Sequence, residues 1–485
     1  MTSNYITKEG YIIDKTKITP EKLEAIKKDL TITPHLPFKH KSLKPKPFTI
    51  YNENGKYISV PKFYGIKKFG KPKVDKMEKG APINIKFLGT PRPIQLPILN
   101  STISQMENDD GALICAGCGM GKTAMALYIA CHFKVKTLII VHKTFLLNQW
   151  RERIAQFTNA TVGTIQQDVV DIEDKDIVVG MLQSIAKDKY DRDIFMDFGL
   201  VVFDEAHHAP SEYFSKALPI ITCHKSLALS ATPKRSDKTE RVLFWYMGEI
   251  SYTAPPNINN RVTVKAYNYD VKDKNFKEAR MRFGGDVNRP QTINRLTAID
   301  KRNQFIVDNI MEAMDEEGRK ILVLSDRIEH LETLKKMIDD IDKYTCEFYI
   351  GGMKQSKLDQ SSEADIILGS YGMAAEGLDI PELNTLVLAT PRSDVEQAVG
   401  RITRKLDHPV QPLIIDMVDM LPCFTNQGIK RRNFYKKLQY NIEVYEVEDS
   451  KVVAQIDLNN TVDISNIKLP KFKKVENDEV DFVDD

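Results

Sequence analysis

A glycine-rich stretch, "AGCGMGKTAMALYIACHF" at residues 116–133, contains the residue types that bind phosphate groups. It follows a short apolar run and leads into an amphipathic helix. Glycines allow backbone N–H groups to approach phosphate oxygens closely. Lys122 would neutralise phosphate charge, and the Thr123 hydroxyl would ligate Mg²⁺. The segment therefore predicts a binding site for ATP and Mg²⁺, with Ala116 at a position where this signature has glycine. The predicted phosphate-binding residues are Gly117, Cys118, Gly119, Met120, Gly121, Lys122 and Thr123.

An acidic pair, Asp204 and Glu205, stands at the end of another apolar run, "LVVFDEAHH". An aspartate at the end of a strand can hold Mg²⁺ through water, and the adjacent glutamate can orient and deprotonate an attacking water. Taken alone, such a pair could be an acidic loop cap. Together with the glycine-rich loop upstream, it predicts hydrolysis of the bound nucleotide.

Two arginines, Arg401 and Arg404, lie three residues apart in "QAVGRITR". On a helix they would share one face, and two guanidinium groups suit the charge that develops on a γ-phosphoryl group. Such a pair is more often a solvated basic helix face. Because it lies far along the chain from Lys122, we expect ATP to bind in a cleft between two units whose closure changes on hydrolysis.

The elements that must position these residues form a repeating pattern. From about residue 86, short β-branched runs such as "TLIIVH" alternate with helical stretches, and the pattern restarts after about residue 260 with runs such as "KILVLSD". This pattern predicts an α/β fold with two tandem domains, each a parallel sheet with helices on both faces.

The N-terminal region differs in pattern and reads as a small, separate α+β domain. The segment "TPEKLEAIKKDL" predicts a helix capped by Thr19, and Asn54-Gly55 between two strand-like runs predicts a β-hairpin. The predicted organisation is a basic N-terminal domain at 1–85, an ATP-binding domain at 86–255, a second α/β domain at 256–445 and a C-terminal segment with an acidic tail at 446–485.

Charge is unevenly distributed along the chain. The net charge is only +2, but residues 1–90 hold 19 Lys and 8 Asp or Glu. This excess favours a polyanionic partner, most plausibly nucleic acid, although a solvated lysine-rich surface is an equal alternative.

No apolar run approaches the roughly 18 residues of a membrane span, and the N-terminus has no apolar core typical of a signal peptide. We therefore expect an intracellular, cytoplasmic protein that does not bind membranes.

Segments that resemble the motifs of the superfamily 2 helicases occur in the family's order. They are "RPIQ" (92–95), "AGCGMGKT", "VHKTFLLNQW" (141–150), "GMLQSI", "DEAH", "SAT" (230–232), "ILVLSDRIEHLETL", "GSYGMAAEGLDIP" and "QAVGRITR". The resemblance implies two tandem RecA-like domains and an ATP-dependent helicase that uses Mg²⁺.

The resemblance also implies roles for further residues. Gln95 would read the adenine, and His207 with Ser230–Thr232 would couple the ATP site to the nucleic acid. Gly377 and Asp379 would contact ATP or the coupling network. Arg401 and Arg404 would stabilise the transition state. The sequence departs from the family pattern at Tyr371, where threonine is common and Ser370 could substitute, and at Glu376, which replaces a common arginine.

Within this superfamily, "LNQWRERI", "DEAHHAPSEYF" and "LALSATPKR" resemble the XPB-like DNA helicases, in particular those of large DNA viruses of the poxvirus transcript-release type. This narrower resemblance implies a DNA translocase that acts with transcription machinery or in DNA repair, located for a virus in the virion or a cytoplasmic factory. Because one chain carries both the glycine-rich loop and the arginine pair, we expect a monomer. An RNA helicase, and an adaptor subunit of a transcription complex whose ATPase is vestigial, are the alternatives. Lys122, Glu205 and Arg404 are all present, which argues against the adaptor.

Overall fold

The computed structural model describes most of the chain, namely residues 4–35, 46–117, 119–208, 211, 213–231, 237–255, 261–281, 285–376, 378, 380–403, 408 and 410–457. Contacts between Cα atoms divide the chain into a first unit, Met1–Pro255, and a second unit, Pro256–Asp485.

The N-terminal part of the first unit is a small α+β arrangement, as predicted. Helices α1 (Pro20–Asp29) and α2 (Lys62–Phe69) accompany a five-stranded sheet of order β5-β6-β2-β1-β7 and a separate pair, β3-β4. The Thr19 side chain caps α1, and β5 pairs with β6 antiparallel around Asn54-Gly55, which confirms both local predictions. The strands are β1 (Tyr5–Thr7), β2 (Gly10–Asp14), β3 (Thr31–Ile32), β4 (Phe48–Thr49), β5 (Asn52–Glu53), β6 (Tyr57–Val60) and β7 (Val74–Asp75).

The rest of the first unit is built on an eight-stranded sheet of order β11-β10-β12-β9-β13-β14-β8-β15. All neighbouring strands are parallel except the edge pair β10-β11. The strands are β8 (Gly111–Cys115), β9 (Thr137–Val141), β10 (Val162–Gln166), β11 (Val169–Asp171), β12 (Ile177–Met181), β13 (Leu200–Phe203), β14 (Lys225–Ser230) and β15 (Ile250–Thr253). The helices are α3 (Leu96–Asp109), α4 (Lys122–Phe133), α5 (Thr144–Phe157), α6 (Leu182–Ile185) and α7 (Arg241–Met247).

Both faces of this sheet are buried, which explains why its strands are apolar throughout rather than alternating. In β9, Leu138 and Ile140 belong to one hydrophobic cluster, whereas Ile139 and Val141 belong to another. The cluster that holds Leu138 also contains Tyr11 and Tyr64 of the N-terminal part. The N-terminal segment therefore shares a core with the first α/β sheet instead of standing apart from it.

The buried Lys62 is a second link between these parts. Lys62 is only 2% exposed. Its ammonium donates to the His224 carbonyl at 2.7 Å and lies 3.7 Å from Asp110 Oδ2. Burial lowers the pKa of Lys62, and the Asp110 carboxylate opposes that shift. An ammonium so deeply buried needs both partners to offset its lost hydration.

We expect Lys62→Met to lower the free energy of unfolding by about 1.5–3 kcal/mol, the range for a hydrogen bond to a charged group. Methionine keeps the apolar stem but leaves the His224 carbonyl without this donor. The matched control is Lys67→Met, because the pair of Lys67 with Glu249 is exposed on both sides and should contribute about 0–1 kcal/mol. Urea denaturation of both variants measures the difference, and equal midpoints would contradict the anchoring role.

The second unit contains another eight-stranded sheet, of order β18-β19-β17-β20-β21-β16-β22-β23. Its strands are parallel except for the edge pair β22-β23. The strands are β16 (Thr263–Asp270), β17 (Ile321–Ser325), β18 (Cys346–Tyr349), β19 (Ile366–Ser370), β20 (Thr385–Leu388), β21 (Leu413–Asp419), β22 (Asn441–Glu448) and β23 (Lys451–Asp457). The helices are α8 (Arg289–Thr297), α9 (Asp300–Met314), α10 (Ile328–Asp339), α11 (Gln355–Ser361), α12 (Tyr371–Glu376), α13 (Glu396–Ile402) and α14 (Pro422–Lys437).

These observations confirm the predicted fold class of two tandem α/β domains with a small N-terminal α+β part. The boundary predicted at residue 445 falls inside β22, and β23 extends the second sheet to Asp457. The acidic tail at the end of the chain lies outside the described residues. Within the described ranges, no helix combines the length and apolar character needed to cross a membrane.

Candidate nucleotide-binding site

The glycine-rich loop connects the end of β8 to the first turn of α4. Gly119 and Gly121 have φ values of 77° and 80°, in the left-handed region that favours glycine. A Cβ atom at Gly121 would lie 2.4 Å from Gln95 Nε2, so a side chain cannot be accommodated there without movement. A Cβ atom at Gly117 would have no atom of the described residues within 4 Å. The loop therefore has the backbone shape and the open space of a phosphate cradle, followed by the N-terminus of α4.

Lys122 begins α4, and its ammonium donates to the Ala116 carbonyl at 3.0 Å across the loop. Thr123 follows in the first helical turn and is half-buried. Their contacts with phosphate and Mg²⁺ stay predictions. Cys118, another predicted loop residue, lies outside the described residues.

Gln95 and Arg92 contact the glycine-rich loop through hydrogen bonds to its backbone carbonyls. Gln95 is 5% exposed; its Nε2 donates to the Met120 carbonyl at 2.9 Å and its Oε1 accepts from the Arg92 N–H at 2.8 Å. Arg92 Nη2 donates to the Gly119 carbonyl at 3.0 Å. Gln95 thus contacts the loop directly, and its reading of adenine stays a prediction. Arg92 was not among the predicted site residues, although it opens the same "RPIQ" segment.

Asp204 follows β13 and has both carboxylate oxygens held in place. Oδ1 accepts from the Glu205 N–H at 2.9 Å, and Oδ2 accepts from the Trp150 indole N–H at 2.8 Å. Burial and the neighbouring Glu205 raise the pKa of Asp204. A cation beside this carboxylate would relieve both effects, because it favours the charged form.

Glu205 adopts a left-handed backbone with φ 45°, a conformation that persists in non-glycine residues mainly where the surroundings enforce it. Burial raises the pKa of Glu205, but His207 and the Lys122 ammonium lower it by more. The pKa of Glu205 therefore falls to about 2. Its Oε2 lies 3.3 Å from His207 Nδ1, which in turn lies 3.4 Å from Ser230 Oγ. Glu205 is therefore ionised at neutral pH and adjoins the residues predicted to couple the two sites.

The residues present fit ATP with Mg²⁺. The hydroxyl of Thr123 and the carboxylate of Asp204 are oxygen ligands of the kind that Mg²⁺ prefers. Lys122 supplies the positive charge, and the two left-handed glycines shape the loop. The Glu205 Oε2 is buried and faces His207 Nδ1 at 3.3 Å.

In the second unit, Arg401 lies on α13 and is buried. Its Nη1 donates to the Leu378 carbonyl at 2.8 Å. The role of Arg401 toward ATP stays a prediction. Arg404, Gly377 and Asp379, together with Thr232 of the first unit, lie outside the described residues.

Tyr371 occupies the position where the family has threonine, and its side chain points into the protein. The hydroxyl donates to the Thr390 carbonyl at 2.8 Å, and the Arg392 guanidinium lies 5.4 Å from the ring centroid. The phenol is thus an internal anchor and does not replace a phosphate-binding hydroxyl. Ser370, at the end of β19, is half-buried.

Trp150 is a further functional candidate that sequence reasoning missed. It lies on the buried face of α5 with Leu146, Leu147 and Ile154. This helical spacing identifies a buried residue, but it gives no indication that the indole meets an acid 54 residues further along.

Comparisons with known proteins connect this geometry to a family. Residues 88–235 match a family model described as the res subunit of type III restriction enzymes, and residues 301–406 match the helicase conserved C-terminal domain. A protein of Acanthamoeba polyphaga mimivirus, provisionally named as an ATP-dependent RNA helicase, is 40% identical over 461 residues, which are 92% of this chain and 87% of the relative. A provisionally named helicase of Invertebrate iridescent virus 6 is 27% identical over 379 residues, or 73% of this chain and 83% of the relative.

Solved structures with low identity support the fold alone. A fragment provisionally assigned as the HsdR subunit of a type I restriction enzyme from Vibrio vulnificus aligns with a TM-score of 0.54 and 18% identity, over 76% of this chain and 71% of the fragment. S. cerevisiae Dbp5 bound to RNA and ADP BeF3 aligns with a TM-score of 0.50 and 14% identity, over 80% and 93% of the two chains. Both α/β domains are therefore RecA-like. Given the 40% identity across most of both chains and the two matched domain models, the chain belongs to the superfamily 2 helicases.

Proposed function

We propose that this helicase hydrolyses ATP and couples the hydrolysis to movement along DNA. The observation that supports this most is the arrangement of three adjacent parallel strands, β13, β14 and β8. At their carboxyl ends, Asp204-Glu205 follow β13, Ser230 is the last residue of β14, and the glycine-rich loop follows β8. Ligands of open α/β sheets bind at the carboxyl ends of the strands. The groups proposed for phosphate binding, water activation and coupling all lie at these ends.

The chain's own residues suggest the division of work. Backbone N–H groups of the loop and the Lys122 ammonium bind the nucleotide phosphates. When bound, Mg²⁺ neutralises charge on the phosphates, with Thr123 and Asp204 to hold it. Glu205 orients the attacking water. His207 passes a change at Glu205 to Ser230 through the 3.3 Å and 3.4 Å contacts.

Arg401 and Arg404 are the proposed source of positive charge for the γ-phosphoryl group in the transition state. The family resemblance of "QAVGRITR" supports these roles. Because one chain carries both the glycine-rich loop and this segment, we propose a monomeric motor that needs no arginine from another copy.

DNA is the proposed substrate because the flanks of several motifs resemble the XPB-like DNA helicases of large DNA viruses. The lysine excess of residues 1–90 supports a polyanionic partner. The proposed setting is viral transcription, including transcript release with the transcription machinery, or DNA repair. RNA is the second candidate, and the names of the mimivirus relative and of a 28% identical relative in African swine fever virus favour it.

The ATPase rate should separate these candidates. We expect hydrolysis to be slow without nucleic acid and to rise with single-stranded or duplex DNA. Lys122→Ala should abolish the stimulated rate because the phosphates lose their ammonium partner, whereas Lys187→Ala, an exposed lysine of the same unit, should behave as wild type. Stimulation by RNA alone would favour the second candidate. A rate that no nucleic acid changes would favour an adaptor role.

A further inference from the structure

The Trp150 indole joins a buried helix face to the candidate Mg²⁺ ligand. We propose that Trp150 is a positioning residue, which holds the Asp204 carboxylate in the orientation that Mg²⁺·nucleotide requires. This inference rests on the proposed role of Asp204 as the Mg²⁺ ligand. It adds a residue to which the motif resemblance gives no role.

The geometry fixes the carboxylate at both oxygens. Trp150 is 1% exposed, and its N–H reaches Oδ2 at 2.8 Å while the Glu205 N–H reaches Oδ1 at 2.9 Å. The terminal torsion of aspartate is intrinsically broad, so one donor alone would leave the carboxylate plane free to turn. Two donors from different elements define the plane and leave the remaining lone pairs for a cation or its water ligands.

The helix that presents the indole is itself well anchored. On α5, Leu146, Leu147, Trp150 and Ile154 share the buried face. The Asp204 N–H donates to the Ile140 carbonyl at 3.0 Å, which fixes the backbone beneath the carboxylate. Both ends of the indole–carboxylate contact are therefore held by packed elements of the same unit.

A structural role and a positioning role make different predictions. A buried indole N–H needs an acceptor, so removing it could lower stability and nothing else. Partners that orient metal ligands instead change metal affinity or activity, by 10- to 100-fold in other proteins. The Mg²⁺ dependence of nucleotide binding distinguishes the two.

The test is Trp150→Phe, which keeps an aromatic ring and removes the N–H donor. Binding of fluorescently labelled ADP is measured at equilibrium against Mg²⁺ concentration and in EDTA. We expect about a tenfold increase in the half-saturating Mg²⁺ concentration, the low end of the range for orienting partners. Affinity for ADP in EDTA should stay unchanged.

The control is Trp245→Phe, at the other of the two tryptophans. Trp245 is half-buried on α7, and its ring packs edge-on against that of Tyr64, with the ring centroids 5.2 Å apart. This contact does not involve Asp204 or Glu205. Its replacement should leave the Mg²⁺ dependence at the wild-type value. Trp150 is then the sole tryptophan, and its emission should change when Mg²⁺·ADP binds, because charge at its acceptor changes.

Each outcome is decisive. A wild-type Mg²⁺ response in Trp150→Phe, with or without a lower melting temperature, would overturn the inference alone. ADP binding that ignores Mg²⁺ in the wild-type protein would overturn the proposed function and the inference with it. If Trp150→Phe does not fold, unchanged emission of Trp150 in the Trp245→Phe protein on Mg²⁺·ADP binding would still overturn it.

Discussion

Glu205→Gln is expected to lower kcat for ATP hydrolysis by about 10²- to 10⁴-fold, the usual contribution of a positioned general base. Glutamine keeps the size and the backbone of the site, including the left-handed φ of 45°, but it cannot accept a proton from water. ATP affinity should persist because Lys122 and the glycine-rich loop are unchanged. Single-turnover hydrolysis and equilibrium binding of ATP measure the two quantities separately.

The lowered pKa of Glu205 is consistent with this expectation. His207 and the Lys122 ammonium keep the carboxylate ionised, which is the form that can accept a hydrogen bond and a proton from the attacking water. Because its pKa lies below the usual range of a glutamate, Glu205 stays ionised at pH values where a free glutamate begins to protonate. Glu249→Gln, an exposed acid of the same unit, is the matched control. Wild-type turnover in Glu205→Gln would remove Glu205 from the proposed mechanism.

Local structure followed closely from the sequence because its causes are local. The Thr19 cap, the Asn54-Gly55 hairpin and the apolar strands each depend on residues a few positions apart, and the structure confirms them. The left-handed turns of Gly119 and Gly121 are also local, since these glycines lie just before Lys122 in the chain.

Contacts across the chain could not be read in this way. Trp150 meets Asp204, and Gln95 meets the Met120 carbonyl, only because the sheet brings their elements together. The core that Tyr64 shares with the first α/β sheet has the same origin, whereas the different sequence pattern of the N-terminal region predicts a separate domain. At Tyr371 the motif resemblance indicated the position but not the direction of the larger side chain.

The largest stability effect is expected in the second unit, at the buried pair of Arg302 and Asp419. Arg302 Nε and Nη2 donate to the two Asp419 oxygens at 2.6 and 2.9 Å, and Nη2 also reaches the Ala389 carbonyl at 2.8 Å. Both side chains are fully buried. The pair ties α9 to the ends of β20 and β21, the same edge of the sheet that ligands use in such folds.

We expect Arg302→Met to cost about 3–5 kcal/mol, because it leaves the Asp419 carboxylate buried without its partner. The loss of stability should appear as faster hydrogen exchange in the second unit, with amides of β21 exchanging roughly 10²- to 10³-fold faster or more. Amides of β13, in the first unit, should exchange at wild-type rates. Lys343→Met is the control, since its pair with Asp315 is exposed on both sides and should contribute little to stability.

The double variant Arg302→Met/Asp419→Leu distinguishes a costly unpaired charge from simple loss of packing. Removing both charges should restore much of the protection of β21, because buried ion pairs replaced by apolar residues are often neutral in stability. If the double variant is instead as unprotected as Arg302→Met, the loss comes from the packing and the Ala389 contact of the guanidinium. The carboxylate of Asp419 would then carry little of the cost, and the pair would matter for its shape at the edge of the sheet more than for its charge.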